Sequence, residues 1–443
     1  MKKILLPLLL IFAIMLGACA SASTPAATEQ PTTEAVASAD EITENADETA
    51  SEQAAEPEPR TNADNPCMSF SIIEESLVTP FPDLPLISED DWVVGPPDAA
   101  VTFLEYSELQ CPYCAQLEPS MVAIQEKFPD DVRIVFRHRP FPESFHDKSI
   151  LGAQALEAAG KQGKFSEFKD FMFARQYQDP NDSVEGSMSS DDFWAALAPD
   201  DFDEWMAERV PDLGIDADQF LEDMYSDEIV KNIQEKKDEA DSLGISGTPT
   251  LFINGYPWPA QQRGVEIFTI FTRLILKQDL EFASCPEKLV DQQKSYSATI
   301  ETTQGDIQVE LFAETAPYAV NSFIFLAREG WYRDLPLLST PDILLSGDPT
   351  DTGYGGAGYV YLDEANSDYT LDQPGMLAIY NRLGPGMNGS SFFINKMALP
   401  DVENITVFGK VTEGMDVIEK IELRQSIMDP VVDSVLSITI TEN

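Results

Sequence analysis

Histidine and basic residues are scarce in this chain of 443 residues. Two histidines, His138 and His146, and 28 lysines and arginines stand against 77 aspartates and glutamates, a formal net charge of −49. So few imidazoles exclude a site built from several histidines. The acidic excess excludes nucleic-acid binding, because phosphate backbones repel it. With 43% hydrophobic residues, the chain still has enough apolar surface for two or three folded domains.

Long apolar runs are absent after the first residues, so we expect no transmembrane helix. Lys2 and Lys3 precede an apolar run over residues 4–16, which is short for a bilayer span and typical of an export signal. It ends in Leu-Gly-Ala-Cys, which resembles the bacterial lipobox. The resemblance implies a signal peptide over residues 1–19 and a lipid on Cys19; the alternative is an ordinary signal peptide. We expect an extracytoplasmic protein that contacts the cell membrane only through this lipid anchor.

Large apolar residues are also nearly absent from residues 20–66, which are rich in Ala, Thr, Ser, Pro and Glu. Such a segment buries too little surface to offset the entropy lost on ordering. We therefore expect residues 20–66 to be a disordered, extended linker.

Cysteines are few, and their positions are informative. Besides Cys19, the chain has Cys67, Cys111, Cys114 and Cys285. Export places them where disulfides persist. Cys67 and Cys285 stand near the two ends of the region that contains the other two, so we predict a structural disulfide between them. The alternative is that one of them forms an intermolecular bond.

Cys111 and Cys114 form a Cys-Pro-Tyr-Cys motif between a predicted strand and a predicted helix. Residues 100–106 are β-branched and aromatic, as in a buried strand, and apolar residues recur at helical spacing after residue 115. A cysteine at a helix N-terminus is favoured as thiolate by the unpaired N–H groups and the dipole. Pro112 suits the first turn because it has no N–H to satisfy. The motif therefore predicts thiol redox chemistry.

A second motif lies far downstream. Gly-Thr-Pro-Thr at residues 247–250 precedes an apolar strand and an Asn-Gly hairpin turn. The region between the motifs is mostly helical in pattern, as over residues 149–175 and 216–240. Together these features resemble the thioredoxin superfamily, and most closely DsbA-like thiol–disulfide oxidoreductases, over residues 91–277. The resemblance implies an α/β thioredoxin fold with a helical insertion, within a domain over residues 67–290.

The resemblance also implies roles for single residues. Cys111 is the attacking thiolate and Cys114 the resolving thiol. Pro249 is the cis-proline that faces the disulfide, and Thr248 offers backbone hydrogen bonds to substrate. Glu105 is a buried acid that takes the Cys114 proton; the alternative is a solvated glutamate at the strand end.

Three further points concern the same motif. Pro112 and Tyr113 are expected to contact substrate, and the charge of Glu108 would oppose the thiolate. A zinc half-site and a permanent structural disulfide are the alternative interpretations of Cys-Pro-Tyr-Cys. We expect neither a metal nor a cofactor.

The C-terminal sequence has β-barrel features. Residues 298–303 and 307–312 predict a hairpin, and residues 316–329 predict a helix. Leu-Leu-Ser-Gly-Asp-Pro at 344–349, Asn-Gly-Ser-Ser-Phe-Phe-Ile at 388–394 and Val-Phe-Gly at 407–409 follow in order. The series resembles the cyclophilin family of peptidyl-prolyl isomerases over residues 296–443. It implies an all-β, eight-stranded barrel with two capping helices.

Several residues that this family uses in catalysis are missing. The arginine that contacts the prolyl amide aligns with Leu337, the glutamine with Leu345, and the Met–Phe floor with Ile343 and Asp342. We therefore expect weak or absent isomerase activity and binding of prolyl segments.

Four residues still match or approach the family's prolyl pocket. Phe393 is expected in the pocket, Phe408 beneath it and Asn381 on its rim. Arg382 would replace the lost guanidinium, although Leu383 is an insertion that disturbs the local alignment.

Together, these features predict an extracytoplasmic thiol–disulfide oxidoreductase that assists the folding of exported proteins. Its expected partners are exported polypeptides with thiols or prolines and a redox protein that recharges Cys111 and Cys114. The alternatives are a non-redox chaperone, a dedicated reductase, and an active isomerase with a structural Cys-Pro-Tyr-Cys disulfide.

Overall fold

The computed structural model describes residues 67–77, 79–176, 194, 198–364, 369–384, 386–402, 404–424 and 426–442. The predicted signal peptide over residues 1–19, with Cys19, and the predicted linker over residues 20–66 lie outside the described residues. The described residues belong to one compact unit. None of the helices in the described part of the chain has the length and apolarity that crossing a membrane requires.

The first described elements are strand β1 (Cys67–Ser69) and helix α1 (Ile72–Ser76). An α/β domain follows, and its described residues form a sheet in the order β2-β4-β3-β5-β6. Its strands are β2 (Trp92–Val94), β3 (Val101–Ser107), β4 (Val132–His138), β5 (Thr250–Ile253) and β6 (Tyr256–Trp258). The central strands β3 and β4 are parallel and the other pairs antiparallel. Every residue of β3 is buried, including the polar Thr102, Glu105 and Ser107.

Helices connect and cover this sheet. They are α2 (Pro112–Lys127), α3 (Ser149–Lys161), α4 (Phe165–Gln176), α5 (Pro199–Arg209), α6 (Ala217–Met224), α7 (Asp227–Ser242) and α8 (Val265–Lys277). The helical pattern predicted over 149–175 is two helices, because the chain turns at Gly163 with φ of +72°. The pattern over 216–240 also divides, where Ser226 caps α7 by accepting from Ile229 N–H.

The C-terminal domain is a nearly closed β-barrel. Its strands are β7 (Tyr296–Thr302), β8 (Gly305–Leu311), β9 (Leu335–Pro336), β10 (Leu338–Ser339), β11 (Ile343–Ser346), β13 (Met376–Ile379), β14 (Phe392–Asn395), β15 (Val407–Glu413) and β16 (Ser434–Glu442), with β12 (Tyr359–Tyr361) outside the barrel sheet. In the described residues the sheet order is β10-β11-β14-β13-β15-β8-β7-β16-β9. This sheet has nine strands rather than eight, because the chain over 335–339 pairs with β16 first and with β11 immediately afterwards. That segment brings the two sheet edges together.

Two helices accompany the barrel, α9 (Pro317–Arg328) and α10 (Met415–Ile418). The predicted hairpin and the first predicted helix agree with β7, β8 and α9 to within two residues at each end. The alternation of buried and partly exposed residues along β7 matches a sheet with one face in the core. The predicted fold class, an α/β domain followed by a β-barrel with capping helices, is confirmed.

The boundary between the domains differs from the one the sequence predicts. Strand β1 pairs with β12 of the C-terminal domain, with Cys67 opposite Tyr361. Val290 is buried in the barrel core, and Phe282 and Cys285 pack against it. Residues 67–69 and 282–290 therefore pack with the C-terminal domain, although their positions in the sequence place them with the first domain.

Candidate functional site

Cys111 and Cys114 stand at the start of α2, directly after the buried strand β3. Cys111 is the N-cap residue, Pro112 begins the helix, and the N–H groups of Cys114 and Ala115 both donate to the Cys111 carbonyl. Both cysteines are free thiols, with 3% of Cys111 and none of Cys114 exposed. Both thiols therefore lie at the N-terminal end of the helix, the end that favours negative charge.

The two thiols differ in acidity. The hydrogen bond with Cys114 is the main cause that lowers the pKa of Cys111 to about 7, against the opposing effects of burial and of the Glu108 charge. Burial raises the pKa of the Cys114 thiol well above its usual value, and its bond to Cys111 adds to the rise. Near neutral pH, Cys111 is therefore the more readily ionised thiol and Cys114 keeps its proton.

Glu105 lies on β3 beneath this pair. It is 2% exposed, and one of its oxygens meets no hydrogen-bond partner among the described residues. Burial raises the pKa of Glu105 to about 8, and the nearby Glu118 carboxylate adds to the shift. Glu105 is therefore a buried acid and not a solvated glutamate at the strand end. A carboxyl that titrates near pH 8 is able to exchange a proton with a neighbouring thiol.

Glu118 and Lys169 form a buried ion pair close to Glu105. Glu118 lies on α2 and Lys169 on α4, and their side chains are 9% and 11% exposed. The ammonium charge of Lys169 acts on Glu105 against the effect of Glu118. The buried acid therefore faces charges of both signs.

The loop before β5 faces the Cys111 sulfur. The Thr248–Pro249 peptide bond is cis, and the Cys111 thiol donates to the Thr248 carbonyl with an S–O distance of 3.4 Å. Tyr113 is 55% exposed, and the Arg263 guanidinium lies 5.3 Å from its ring centroid. Cys111, Thr248 and Pro249, which are far apart in sequence, thus meet at one place, and Tyr113 is open to solvent beside them.

Glu108 has a partner that the sequence analysis did not anticipate. His146 Nδ1 lies 2.5 Å from Glu108 Oε1, while the Ser149 hydroxyl and the Gln110 N–H donate to Oε2. The charge of Glu108 does oppose the Cys111 thiolate. No local pattern in the sequence indicates this pair, because His146 follows Glu108 by 38 residues.

Phe393, predicted to lie in the prolyl pocket, is 4% exposed and packs in a buried cluster with Leu345, where the family has a glutamine. Phe408, predicted to lie beneath the pocket, belongs to a different cluster, the barrel core, with its ring 5.4 Å from that of Phe323. The roles of both residues in binding a prolyl segment stay predictions.

Asn381 and Arg382, the polar residues predicted for that pocket, form hydrogen bonds with backbone groups of the protein. The Asn381 amide donates to the Gly384 carbonyl and accepts from its N–H. The Arg382 guanidinium donates to the Thr352 carbonyl at 2.6 Å and lies 4.0 Å from the ring centroid of Tyr354. Leu337, at the position of the missing arginine, is 2% exposed in the barrel core. Arg382 therefore does not supply the lost guanidinium in this structure.

Comparison with known families gives a match for each domain. The family model described as thioredoxin matches residues 88–267. The family model described as cyclophilin type peptidyl-prolyl cis-trans isomerase/CLD matches residues 297–442. The chain carries a thioredoxin-like domain followed by a cyclophilin-type domain.

Individual relatives resemble parts of the chain. It is 32% identical over 182 residues to Na(+)/H(+) antiporter NhaA 1 of Mycolicibacterium gilvum, covering 40% of this chain and 26% of that protein. It is 38% identical over 164 residues to peptidyl-prolyl cis-trans isomerase-like 2 of Rhizopus delemar, covering 36% of this chain and 30% of the relative. The chain thus spans under a third of the length of these curated relatives.

A solved cyclophilin-type isomerase of Cryptosporidium parvum is also similar. It is 28% identical, with a TM-score of 0.31, over 34% of this chain and 99% of the solved one.

The predicted disulfide joins Cys67 to Cys285, with their Cα atoms 6.1 Å apart. Both cysteines lie against the cyclophilin-type domain, because Phe70 N–H donates to the Gly358 carbonyl and Phe282 N–H to the Ala357 carbonyl. The bridge therefore fastens both ends of the first domain's sequence to the second domain.

A charged cluster also joins the domains. Arg424 donates to both oxygens of Asp351 at 2.9 and 2.7 Å, and Arg273 on α8 of the thioredoxin-like domain reaches Asp351 Oδ2 at 3.4 Å. Arg273 also donates to the backbone carbonyls of Thr350 and Ile427. The two domains are thus fixed to each other by polar contacts as well as by the segments around the disulfide.

Proposed function

We propose that the thioredoxin-like domain exchanges disulfides with exported polypeptides through Cys111 and Cys114. The observation that carries this proposal is the difference in acidity between the two buried thiols. A sulfur with a pKa of about 7 is both ionised enough to attack and a good leaving group at neutral pH. Its neighbour, whose pKa burial raises, holds a proton until Glu105 accepts it.

In the oxidising direction, a client thiolate attacks Cys111 Sγ of the Cys111–Cys114 disulfide. The S–S bond breaks, its electron pair goes to Cys114, and Cys114 takes the proton held by Glu105. A second client thiolate attacks the client sulfur of the mixed disulfide, and Cys111 leaves as a thiolate. The client loses two electrons and the domain gains them, so a further redox partner has to reoxidise the pair.

In the reducing direction the same steps run backwards. The Cys111 thiolate attacks a client disulfide, Glu105 takes the Cys114 proton, and Cys114 releases the reduced client. The reduction potential of the pair decides between the two directions.

Oxidative refolding of a reduced test protein examines this proposal. The wild-type chain in its disulfide form should restore the client's activity, and Cys111→Ser should abolish the effect. A non-redox chaperone would instead suppress aggregation equally well with and without Cys111. Equal refolding by the two proteins would therefore overturn the redox proposal.

For the cyclophilin-type domain we propose binding of prolyl segments with little or no isomerisation. The low isomerase activity is supported by Leu337, which is buried where the family has an arginine, and the binding role by Phe393, which matches the family's pocket residue. A preorganised cation is usually the largest catalytic contribution in such a site, so its loss should cost most of the rate. Prolyl turnover by the full chain should match the uncatalysed rate. A rate well above it, lost on Phe393→Ala, would contradict the proposal.

We further propose that the protein is exported and tethered through a lipid on Cys19. The charged start, the apolar run and the Leu-Gly-Ala-Cys sequence support this. Labelled fatty acid should be incorporated into the wild-type protein and not into Cys19→Ser. Incorporation into both would contradict the anchor.

A further inference from the structure

Glu108 and His146 lie beside the reactive cysteine without being part of the exchange proposed above. Glu108 is three residues before Cys111 and is 1% exposed. The turn between them is closed by a hydrogen bond from Cys111 N–H to the Glu108 carbonyl at 3.3 Å. This turn holds Glu108 close to Cys111, so a change in the charge at Glu108 acts on the Cys111 sulfur.

Three donors converge on the Glu108 carboxylate. His146 Nδ1 is 2.5 Å from one oxygen, and Gln110 N–H and Ser149 Oγ lie 2.8 and 2.9 Å from the other. Gln110 and Ser149 are neutral, so His146 is the group among the three that is able to cancel the carboxylate charge. A buried carboxylate is costly unless such a partner is present.

The imidazole itself is held on several sides. Its ring stacks on Phe145 at 4.5 Å and meets Phe141 edge-on at 5.6 Å, and its side chain is 19% exposed. Next to it, Asp147 is paired with the Lys148 ammonium at 2.7 Å and accepts from the Gln110 amide. The Lys148 ammonium therefore neutralises Asp147, and the charges left for the His146 imidazolium are those of Glu108 and the Cys111 thiolate.

We propose that His146 is a positioning residue that sets the charge facing Cys111 through Glu108. As an imidazolium it neutralises Glu108 and leaves the thiolate stabilised. As a neutral imidazole, or when absent, it leaves a buried carboxylate whose negative charge opposes the thiolate. This inference rests on the proposed redox function of Cys111.

The direction of the titration agrees with this arrangement. The hydrogen bond that His146 donates to Glu108 raises the pKa of His146, against the opposing effect of burial, and the charges of Glu108, Cys111 and Asp147 add to the rise. Coupling between charges is reciprocal, so the cation that Cys111 stabilises also stabilises the Cys111 thiolate. Raising the pH until His146 loses its proton should therefore weaken the stabilisation of the Cys111 thiolate.

The pH profile of Cys111 alkylation in the reduced, full-length protein tests the proposal. Iodoacetamide is the probe, and peptide mapping identifies the alkylated sulfur. His146→Gln should raise the apparent pKa of Cys111 and slow alkylation at pH 7 by about threefold to tenfold, since one pKa unit is a tenfold change. Glu108→Gln should shift the profile in the opposite direction. The double variant should return close to the wild-type profile, a result that a merely structural role would not produce.

The other histidine supplies a matched control. His138 bonds to Glu157 at 2.8 Å, so His138→Gln also removes an imidazole–carboxylate pair from the same domain. Its alkylation profile should overlay that of the wild type. Superimposed profiles for His146→Gln and the wild type, or faster alkylation in His146→Gln, would overturn the role of His146. A wild-type Cys111 that alkylates only above pH 8.5 would instead overturn the redox function itself.

Discussion

The Cys111 sulfur lies 3.4 Å from the carbonyl oxygen of Thr248 and donates its proton to that oxygen. Whenever Cys111 has no proton to donate, as a thiolate or in a disulfide, this bond is lost and the Thr248 carbonyl can accept another hydrogen bond. The hydrogen-bonding capacity of the loop before Pro249 therefore depends on the state of Cys111.

Replacing the resolving thiol should trap that covalent state. Cys114→Ser leaves the attacking thiol in place and removes the group that releases the client. Mixed disulfides between Cys111 and clients that carry a disulfide should accumulate. They should be visible as reductant-sensitive bands on a non-reducing gel. Cys111→Ser, the matched control, should give none. Comparable adducts from both variants would contradict the assignment of the attacking sulfur.

Glu105 should make the stability of the reduced protein depend on pH. Its pKa in the fold, about 8, is above the ordinary value of 4.5, so the fold favours the protonated acid. The stability that this contributes is complete below pH 4.5 and is lost as the pH rises through about 8. Glutamine is neutral at every pH, so Glu105→Gln should gain stability relative to the wild type between pH 4.5 and pH 9, by about 5 kcal/mol at most.

Urea unfolding of both proteins at pH 4.5 and pH 9 measures this difference. The exposed carboxylate of Glu266 supplies the control, and Glu266→Gln should follow the wild type at both pH values. A Glu105→Gln variant that loses stability relative to the wild type as the pH rises would contradict the buried acid.

Breaking the charged cluster between the domains should destabilise the protein. Asp351 has a positive φ of 56°, which asparagine tolerates, so Asp351→Asn removes the charge and keeps the backbone. It leaves Arg424, 3% exposed, without its anion, and such a loss costs about 3–5 kcal/mol in buried pairs. Thermal unfolding should show a clear fall in midpoint. Asp416→Asn, which breaks an exposed pair with Lys420, should leave the midpoint unchanged.

The disulfide should stabilise the cyclophilin-type domain in particular. Cys67 and Cys285 close a loop of 218 residues. The entropic account gives about 5 kcal/mol at most for so long a loop. In Cys67→Ser/Cys285→Ser, amide hydrogen exchange should increase first in β1 and β12, whose pairing the bridge supports. Unchanged protection of both strands would contradict this role.

Local patterns predicted much of this fold. The apolar run before Cys111, Pro112 at the helix start, and the alternation along the barrel hairpin each depend on neighbouring residues. These features placed Cys111 and Cys114 at a helix N-terminus, and the two family resemblances supplied the fold assignments. The catalytic roles inferred from family resemblance stay predictions.

Long-range packing was not predictable in the same way. The pairing of Cys67 with Tyr361 joins strands almost 300 residues apart, so no local pattern indicates it. Glu108 was interpreted as an uncompensated charge, because its partner His146 comes from a loop that only the folded sheet brings near. The family position of Phe408 likewise did not indicate which buried cluster its ring joins.

The ionisation of Cys111 tests the central claim most directly. Thiolate absorbance at 240 nm, titrated in the reduced full-length protein and corrected with Cys111→Ser, measures it without any client or partner. We predict one thiol ionisation near pH 7, and we expect this ionisation to be missing from the titration of Cys111→Ser. A single ionisation above pH 8.5, unchanged in shape when Cys111 is replaced, would contradict it.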